Sequence, residues 1–375
     1  MKQEQAWLIL ENGTLLSGWS FGASVETSGE VVFSTGMVGY GETMTDPSYY
    51  GQILCFTYPM IGNYGVPQRT SQSLVQSPFE SQNIHLKGLV ISEYSQDFSH
   101  WRAGQSLHKW MVCQNIPGIH GIDTRELTQI LREEGSMTGA IVHEFPKVKP
   151  EFYNPNQQNL AREVTSPAVQ VFLPEEEPDY TILLIDCGSK SNILRSLLKR
   201  RLKVVSIPFD YDYHNLRFKK EISDFDGILV SNGPGNPEHL DSVVGNLKKS
   251  IEKETPMMGI CLGHQLIARA AGAKTYKLKF GHRSHNQPCR LVGSNRCYIT
   301  SQNHGYAVEN ESIPEDWRPL FVNANDGTNE GICHKYLPVF SVQFHPEAAP
   351  GPQDTAFLFD RFIKSLDPSQ GKERS

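Results

Sequence analysis

The chain has 375 residues, 38% hydrophobic and 20% charged, which is enough apolar content to bury a core and excludes wholesale disorder. Lysine plus arginine number 35 against 41 for aspartate plus glutamate, a formal net charge of −6 that argues against a protein coating nucleic acid. No apolar run reaches the ~18 residues of a membrane span, the polar residues 1–5 lead directly into a strand-like patch with no secretory signal visible, and seven cysteines without a CxxC pair argue against a disulfide framework and for a reducing, cytoplasmic setting. In chain order, residues 7–10 read as a strand, and Asn12-Gly13 as a hairpin turn before residues 14–16. Residues 30–34 and 52–58 are further strands, separated by glycine and proline clusters. Asp123 with Glu126 three residues later is a capping box, the stripe Leu127, Ile130, Leu131 predicts a helix, and Gly135 ends it. Residues 140–143 are another strand. The stretch 150–178, rich in Asn, Pro and Glu, reads as an extended linker with one short helix near 160–164.

From there strand and helix alternate. Strands are expected at 181–185, 204–207, 227–230, 257–260 and 339–344, and helices at 191–202, 240–254, 263–271 and 354–366. The pattern predicts an α/β fold: a doubly wound, mostly parallel sheet over 180–375, preceded by a β-rich domain at 1–150 and a linker at 151–179. Ligands of such sheets bind beyond the carboxyl ends of the strands.

The chemistry-bearing residues cluster at those ends. Gly259-Ile260-Cys261-Leu262-Gly263 lies between a strand and a helix and has the spacing of a nucleophile elbow, with cysteine as nucleophile. Larger side chains two positions before and after would clash in so tight a turn. The helix N-terminus favours a thiolate at Cys261, and the Leu262 N–H is left to bind an oxyanion. A thiolate needs a base, and the base needs an orienter. His345-Pro346-Glu347 supplies both: residues i and i+2 of an extended chain face one way, so Glu347 can hold the imidazole of His345. His264, one turn into the helix after the elbow, competes for the base role, and packing or capping is the favoured reading. Cys187, in Asp186-Cys187-Gly188, lacks a matching second glycine and reads as core or turn. His282, His285 and Cys289 offer only three ligands and no fourth, so no metal is expected. Gly233-Pro234-Gly235 ends another strand and can lend a backbone N–H to an anion. Residues 302–306, Gln-Asn-His-Gly-Tyr, read as a polar turn.

Together these residues resemble the class I (triad) glutamine amidotransferase family, with its flavodoxin-like fold: the elbow runs on into His264-Gln265, and His345-Pro346-Glu347 matches the second signature. The resemblance extends over almost the whole chain. Thr35-Gly36-Met37-Val38-Gly39-Tyr40, Thr45-Asp46-Pro47-Ser48-Tyr49, Gly121-Ile122-Asp123-Thr124-Arg125, Lys279-Phe280-Gly281-His282 and Pro346-Glu347-Ala348-Ala349-Pro350-Gly351-Pro352 are similar to the small subunits of carbamoyl-phosphate synthetases. Ser284 stands where that family often has glycine. The resemblance implies hydrolysis of L-glutamine to L-glutamate and ammonia, with Cys261, His345 and Glu347 catalytic. It implies glutamine held by Ser48, Gly233, Gly235, Leu262, Gln265, Asn303, Gly305 and Tyr306, with Ser48 reaching in from the first domain. It further implies a large-subunit partner in a heterodimer, which receives the ammonia and carries the ATP and Mg chemistry, and no cofactor on this chain. The lack of a G-x-x-x-x-G-K-[ST] loop agrees with that division.

Overall fold

The structure, a computed structural model, describes residues 4–68, 73, 75–145, 150–215 and 224–367. Its contacts divide the chain into two units: Met1–Gln158 with Lys279–Ser284, and Asn159–Leu278 with His285–Ser375.

The first unit is built on a closed seven-stranded barrel. Its strands are β1 (Gln5–Leu10), β2 (Leu15–Gly22), β3 (Thr27–Ser34), β4 (Gln52–Phe56), β5 (Gly88–Val90), β6 (Pro117–His120) and β7 (Met137–Val142), in the order β1-β7-β3-β4-β5-β6-β2. The Asn12-Gly13 turn joins β1 to β2, with Gly13 at φ +92°. β3, β4, β5 and β6 pair in parallel. Their side chains alternate between two cores: Val31, Ile53 and Val90 face one, and Val32, Leu54 and Leu89 the other. Burial on both faces explains why these strands read as continuous apolar runs. Helix α1 is Leu107–Cys113. Helix α2 (Thr124–Glu134) starts where the Asp123 carboxylate accepts the N–H groups of Arg125 and Glu126, and it seals the first core with Leu127 and Leu131.

The second unit is a ten-stranded sheet. Its strands are β8 (Gln170–Phe172), β9 (Tyr180–Asp186), β10 (Leu202–Pro208), β11 (Gly227–Val230), β12 (Met257–Ile260), β13 (Thr275–Leu291), β14 (Cys297–Val308), β15 (Trp317–Asn323), β16 (Asn329–His334) and β17 (Val339–Val342). The order is β8-β10-β9-β11-β12-β17-β16-β15-β13-β14. β10, β9, β11, β12 and β17 form the parallel centre. Helices α3 (Ser191–Leu198), α4 (Asp241–Glu252), α5 (Leu262–Ala271) and α6 (Phe357–Leu366) accompany it. Ile182, Leu183, Leu184 and Ile185 are all buried, as a sheet covered on both faces requires.

Three local expectations change. Residues 302–306 are not a turn but lie inside β14; the side chains buried there are polar (Gln302, Asn303, His304), so no apolar alternation marks the strand. α3 stops at Leu198, because Leu202 already pairs with Tyr180 and Arg201 turns the chain at φ +60°. Within the stretch read as linker, β8 adds an antiparallel edge strand to β10. No helix among the described residues is long and apolar enough to cross a membrane.

Candidate active site

β12 runs in parallel between β11 and β17 and ends at Ile260. The next residue, Cys261, adopts φ 53°, ψ −104°, a strained conformation for a side chain with a Cβ. The glycines on either side are obligatory. A Cβ on Gly259 would lie 2.6 Å from the Gly263 carbonyl oxygen, and one on Gly263 would lie 2.2 Å from the Val230 carbonyl oxygen. The turn is anchored by the Cys261 N–H on the Val342 carbonyl (2.9 Å) and the Gly263 N–H on the Ser231 carbonyl (3.0 Å). Cys261 heads α5 and is 2% exposed, with its thiol 3.6 Å from the Asn303 carbonyl oxygen. The Leu262 N–H, in the first helical position, has no acceptor among the described residues.

His345 follows β17 and is pinned by its N–H to the Ser301 carbonyl (2.9 Å). Its Nδ1 is 2.6 Å from Glu347 Oε1, and both side chains are buried. Burial alone would raise the carboxyl's pKa, but the Lys190 ammonium and then His345 outweigh it and hold Glu347 well below the usual carboxylate range. Burial alone would lower the imidazole's pKa, but the Glu347 carboxylate and the Cys261 sulfur together hold it above its ordinary value. An ionised Glu347 can only accept, so Nδ1 carries the proton toward it. Nε2 is buried and makes no hydrogen bond of normal geometry among the described residues, and the Cys261 sulfur acts on the same ring.

His264 has a different setting. Its Nδ1 meets Ser341 Oγ at 2.8 Å, burial pushes its pKa down to about 3, and no carboxylate among the described residues pairs with it. Of the two histidines, only His345 has both an orienting carboxylate and the cysteine as neighbours.

Two residues of the site left no mark in the sequence. Lys190 Nζ is 3.1 Å from Glu347 Oε1 and also donates to the Ala348 carbonyl, with its side chain 3% exposed. Asn192 Nδ2 donates to the Glu347 carbonyl. Both sit at the start of α3, held by a turn in which Asp186 accepts the N–H groups of Gly188, Ser189 and Ser166 while Asn232 accepts that of Lys190. A lysine before a helix reads as a solvated charge, and only the fold shows that it is buried.

The remaining candidates fall as follows. Gly233 packs so closely that a Cβ would lie 2.1 Å from the Cys187 carbonyl oxygen and 3.0 Å from the Leu262 side chain, and its N–H has no acceptor among the described residues. Gly235 takes φ +92°, with Leu160 beside its Cα. The Gln265 amide donates to the Tyr306 carbonyl at 2.9 Å. Asn303, Gly305 and Tyr306 lie along β14. The structure thus gathers Cys261, Leu262, Gly233, Gln265, Asn303, Tyr306, His345 and Glu347 around the ends of β11, β12 and β17. Ser48 belongs to the first unit, in the turn Pro47–Tyr49, where its N–H donates to Asp46. Cys187 is fully buried, with its N–H on Ser231 Oγ. Cys289 is likewise buried; Gln302 donates to its sulfur, which lies 3.4 Å from Thr300 Oγ1.

Comparison with known proteins covers both units. Residues 183–365 match the model of Glutamine amidotransferase class-I, and residues 8–141 that of Carbamoyl-phosphate synthase small chain, CPSase domain. The carbamoyl phosphate synthase arginine-specific small chain of Phaeosphaeria nodorum is 48% identical over 97% of this chain and 76% of that protein. The multifunctional protein URA2 of Saccharomyces cerevisiae is 49% identical over 96% of this chain, and multifunctional protein pyr1-3 of Dictyostelium discoideum 44% over 98%. The chain spans only 17% of the length of each of those two. With matches of this extent on both units, and a cysteine elbow facing a His-Glu pair in the second, the chain belongs to the family of carbamoyl phosphate synthase small chains and carries a class-I glutamine amidotransferase domain.

Proposed function

We propose that this chain hydrolyses L-glutamine to L-glutamate and ammonia, using Cys261 as nucleophile, His345 as proton carrier and Glu347 as orienter. The observation that carries the reading is Cys261 held in a strained elbow beside an imidazole whose far nitrogen is bonded to a buried carboxylate. Cys261 Sγ attacks the γ-carboxamide carbon, its proton passing to His345 Nε2. The N–H groups of Leu262 and Gly233, which have no acceptor among the described residues, receive the oxyanion. His345 then protonates the departing nitrogen, which leaves as ammonia, and a glutamyl thioester remains on Cys261. Water, deprotonated by the same Nε2, attacks the thioester; glutamate departs and the thiol is restored. The sum is glutamine plus water to glutamate plus ammonia. Glu347 stays ionised throughout, which is what its low pKa supports.

In this proposal Gly235, Gln265, Asn303, Gly305 and Tyr306 hold the amino-acid portion of the substrate. The ammonia passes to a large synthetase chain, which makes carbamoyl phosphate from bicarbonate and two ATP with Mg²⁺; this chain needs no cofactor of its own. The setting is cytoplasmic, and the product serves arginine or pyrimidine synthesis. The test is Cys261→Ser in the assembled synthetase. Glutamine-dependent carbamoyl phosphate synthesis should vanish while ammonia-dependent synthesis persists. Glutamine-dependent synthesis that survives the change would overturn the assignment.

A further inference from the structure

We infer that Gln343 is a positioning residue for substrate binding: it fixes which atom of the Gln265 amide is presented to the ligand. The inference rests on the reading of the chain as a glutaminase and concerns how that site recognises its substrate.

Gln265 lies in the first turn of α5, four residues after Cys261, and is 3% exposed. Its Nε2 donates to the Tyr306 carbonyl at 2.9 Å and to Gln343 Oε1 at 3.2 Å. The oxygen and nitrogen of a side-chain amide are told apart by their partners. A backbone carbonyl only accepts, so Tyr306 requires the nitrogen of Gln265 at that place. The same carbonyl also lies 2.8 Å from His304 Nδ1, so two polar groups converge on it. Both N–H bonds of the Gln265 amide are thereby used, one on Tyr306 and one on Gln343. Gln265 Oε1 has no donor among the described residues and is the atom left for a ligand. A ligand group that meets it must itself donate, as an ammonium or a carboxamide N–H does.

Gln343 closes this chain of constraint. It is fully buried, two residues before His345, with its N–H on the Glu330 carbonyl. Its own Nε2 is buried with no partner among the described residues. Buried amides do not leave their donors unsatisfied unless something imposes the orientation. The imposing group is Gln265, because turning Gln343 over would set NH₂ against NH₂. The terminal torsion of a glutamine is broad and roughly two-fold. Without an acceptor at position 343, Gln265 would lose the second partner that stops it from swinging away from the ligand. Cys261, at the head of α5, and Gln265 within it are thus both tied to β17 and its extension, the Cys261 N–H on the Val342 carbonyl and the Gln265 amide on Gln343 Oε1.

The test is steady-state release of glutamate from L-glutamine by the full chain, in its assembly with the synthetase. Gln343→Met keeps the volume and removes the acceptor; it should raise KM about tenfold while kcat stays within about twofold. In a Gln265→Ala background the same change should move KM by less than about twofold, because its effect travels through Gln265. Gln343→Glu retains an acceptor toward Gln265 and should keep KM within about threefold of wild type, and it serves if the methionine variant does not fold. A kcat loss at unchanged KM would overturn the role of Gln343, as would an equal KM rise in both backgrounds, or a tenfold KM rise in the glutamate variant. Wild-type protein that releases no glutamate would overturn the glutaminase reading itself; wild-type turnover with an unmoved KM in Gln343→Met overturns only the role of Gln343.

Discussion

Two turns of the second unit have the same position in the fold and opposite chemistry. Each follows a central parallel strand, each leads into a helix, and each carries a buried cysteine. After β12 the backbone at Cys261 is left-handed, glycines flank it at both sides, and a histidine with its carboxylate faces the sulfur. After β9 the chain at Cys187 has no such strain, and burial, then the neighbouring Asp186, pushes its thiol far above the ordinary range. That second turn contributes a cation instead: Asp186 and Asn232 fold it so that Lys190 reaches Glu347. A buried cysteine at a strand end is thus not a nucleophile by position. In the proposed mechanism, strain, small neighbours and a His-Glu pair set Cys261 apart, and the neighbouring turn supplies Lys190, which holds Glu347 well below the usual carboxylate range.

The comparison breaks most directly at Glu347. Glu347→Gln keeps the shape but removes the charge that holds the Nδ1 proton; glutaminase kcat should fall about 10³- to 10⁴-fold with the fold intact by circular dichroism. A loss under tenfold would show that the orienter is dispensable. Lys190→Met should cost less, about 10- to 100-fold in kcat, and should move the acid limb of the pH profile. The sign follows from the charges. Lys190 is the main attraction that depresses the Glu347 pKa, so without it the carboxyl takes up a proton at higher pH and the limb shifts upward. An unmoved limb would reduce Lys190 to a packing residue. The same change should destabilise the chain by about 3 kcal/mol, because it leaves a buried carboxylate short of its cation. Cys187→Ala should be the mildest, about 1 kcal/mol of stability with kcat within about twofold, measured by denaturation and by turnover. A large loss of turnover there would erase the distinction between the two turns.

What the sequence reveals divides along physical lines. The parallel core was legible because burial on both faces makes 182–185 and 227–230 unbroken apolar runs. The elbow was legible because Gly259 and Gly263 are forced by backbone oxygens 2.6 and 2.2 Å from where a Cβ would be. β14 was hidden because its buried side chains are polar and carry no apolar alternation, with Gln302 donating to the Cys289 sulfur and His304 meeting Gln302 Oε1. Lys190 and Gln343, both buried, and the part-buried Asn192 were hidden likewise: a polar side chain drawn into the fold declares itself only through the groups that pair with it. Lys279–Ser284, inside a single long strand, joins the first unit and carries no compositional mark.

The central claim is that Cys261, and no other cysteine, carries the glutamyl group. Rapid quenching of the chain with L-glutamine, followed by acid digestion and mass spectrometry of the peptides, tests it directly. The account predicts a glutamyl adduct, glutamine less ammonia, on the Cys261 peptide alone, and its disappearance in Cys261→Ser. An adduct on the Cys187 peptide, or turnover in the His345→Asn variant at the wild-type rate, would contradict it.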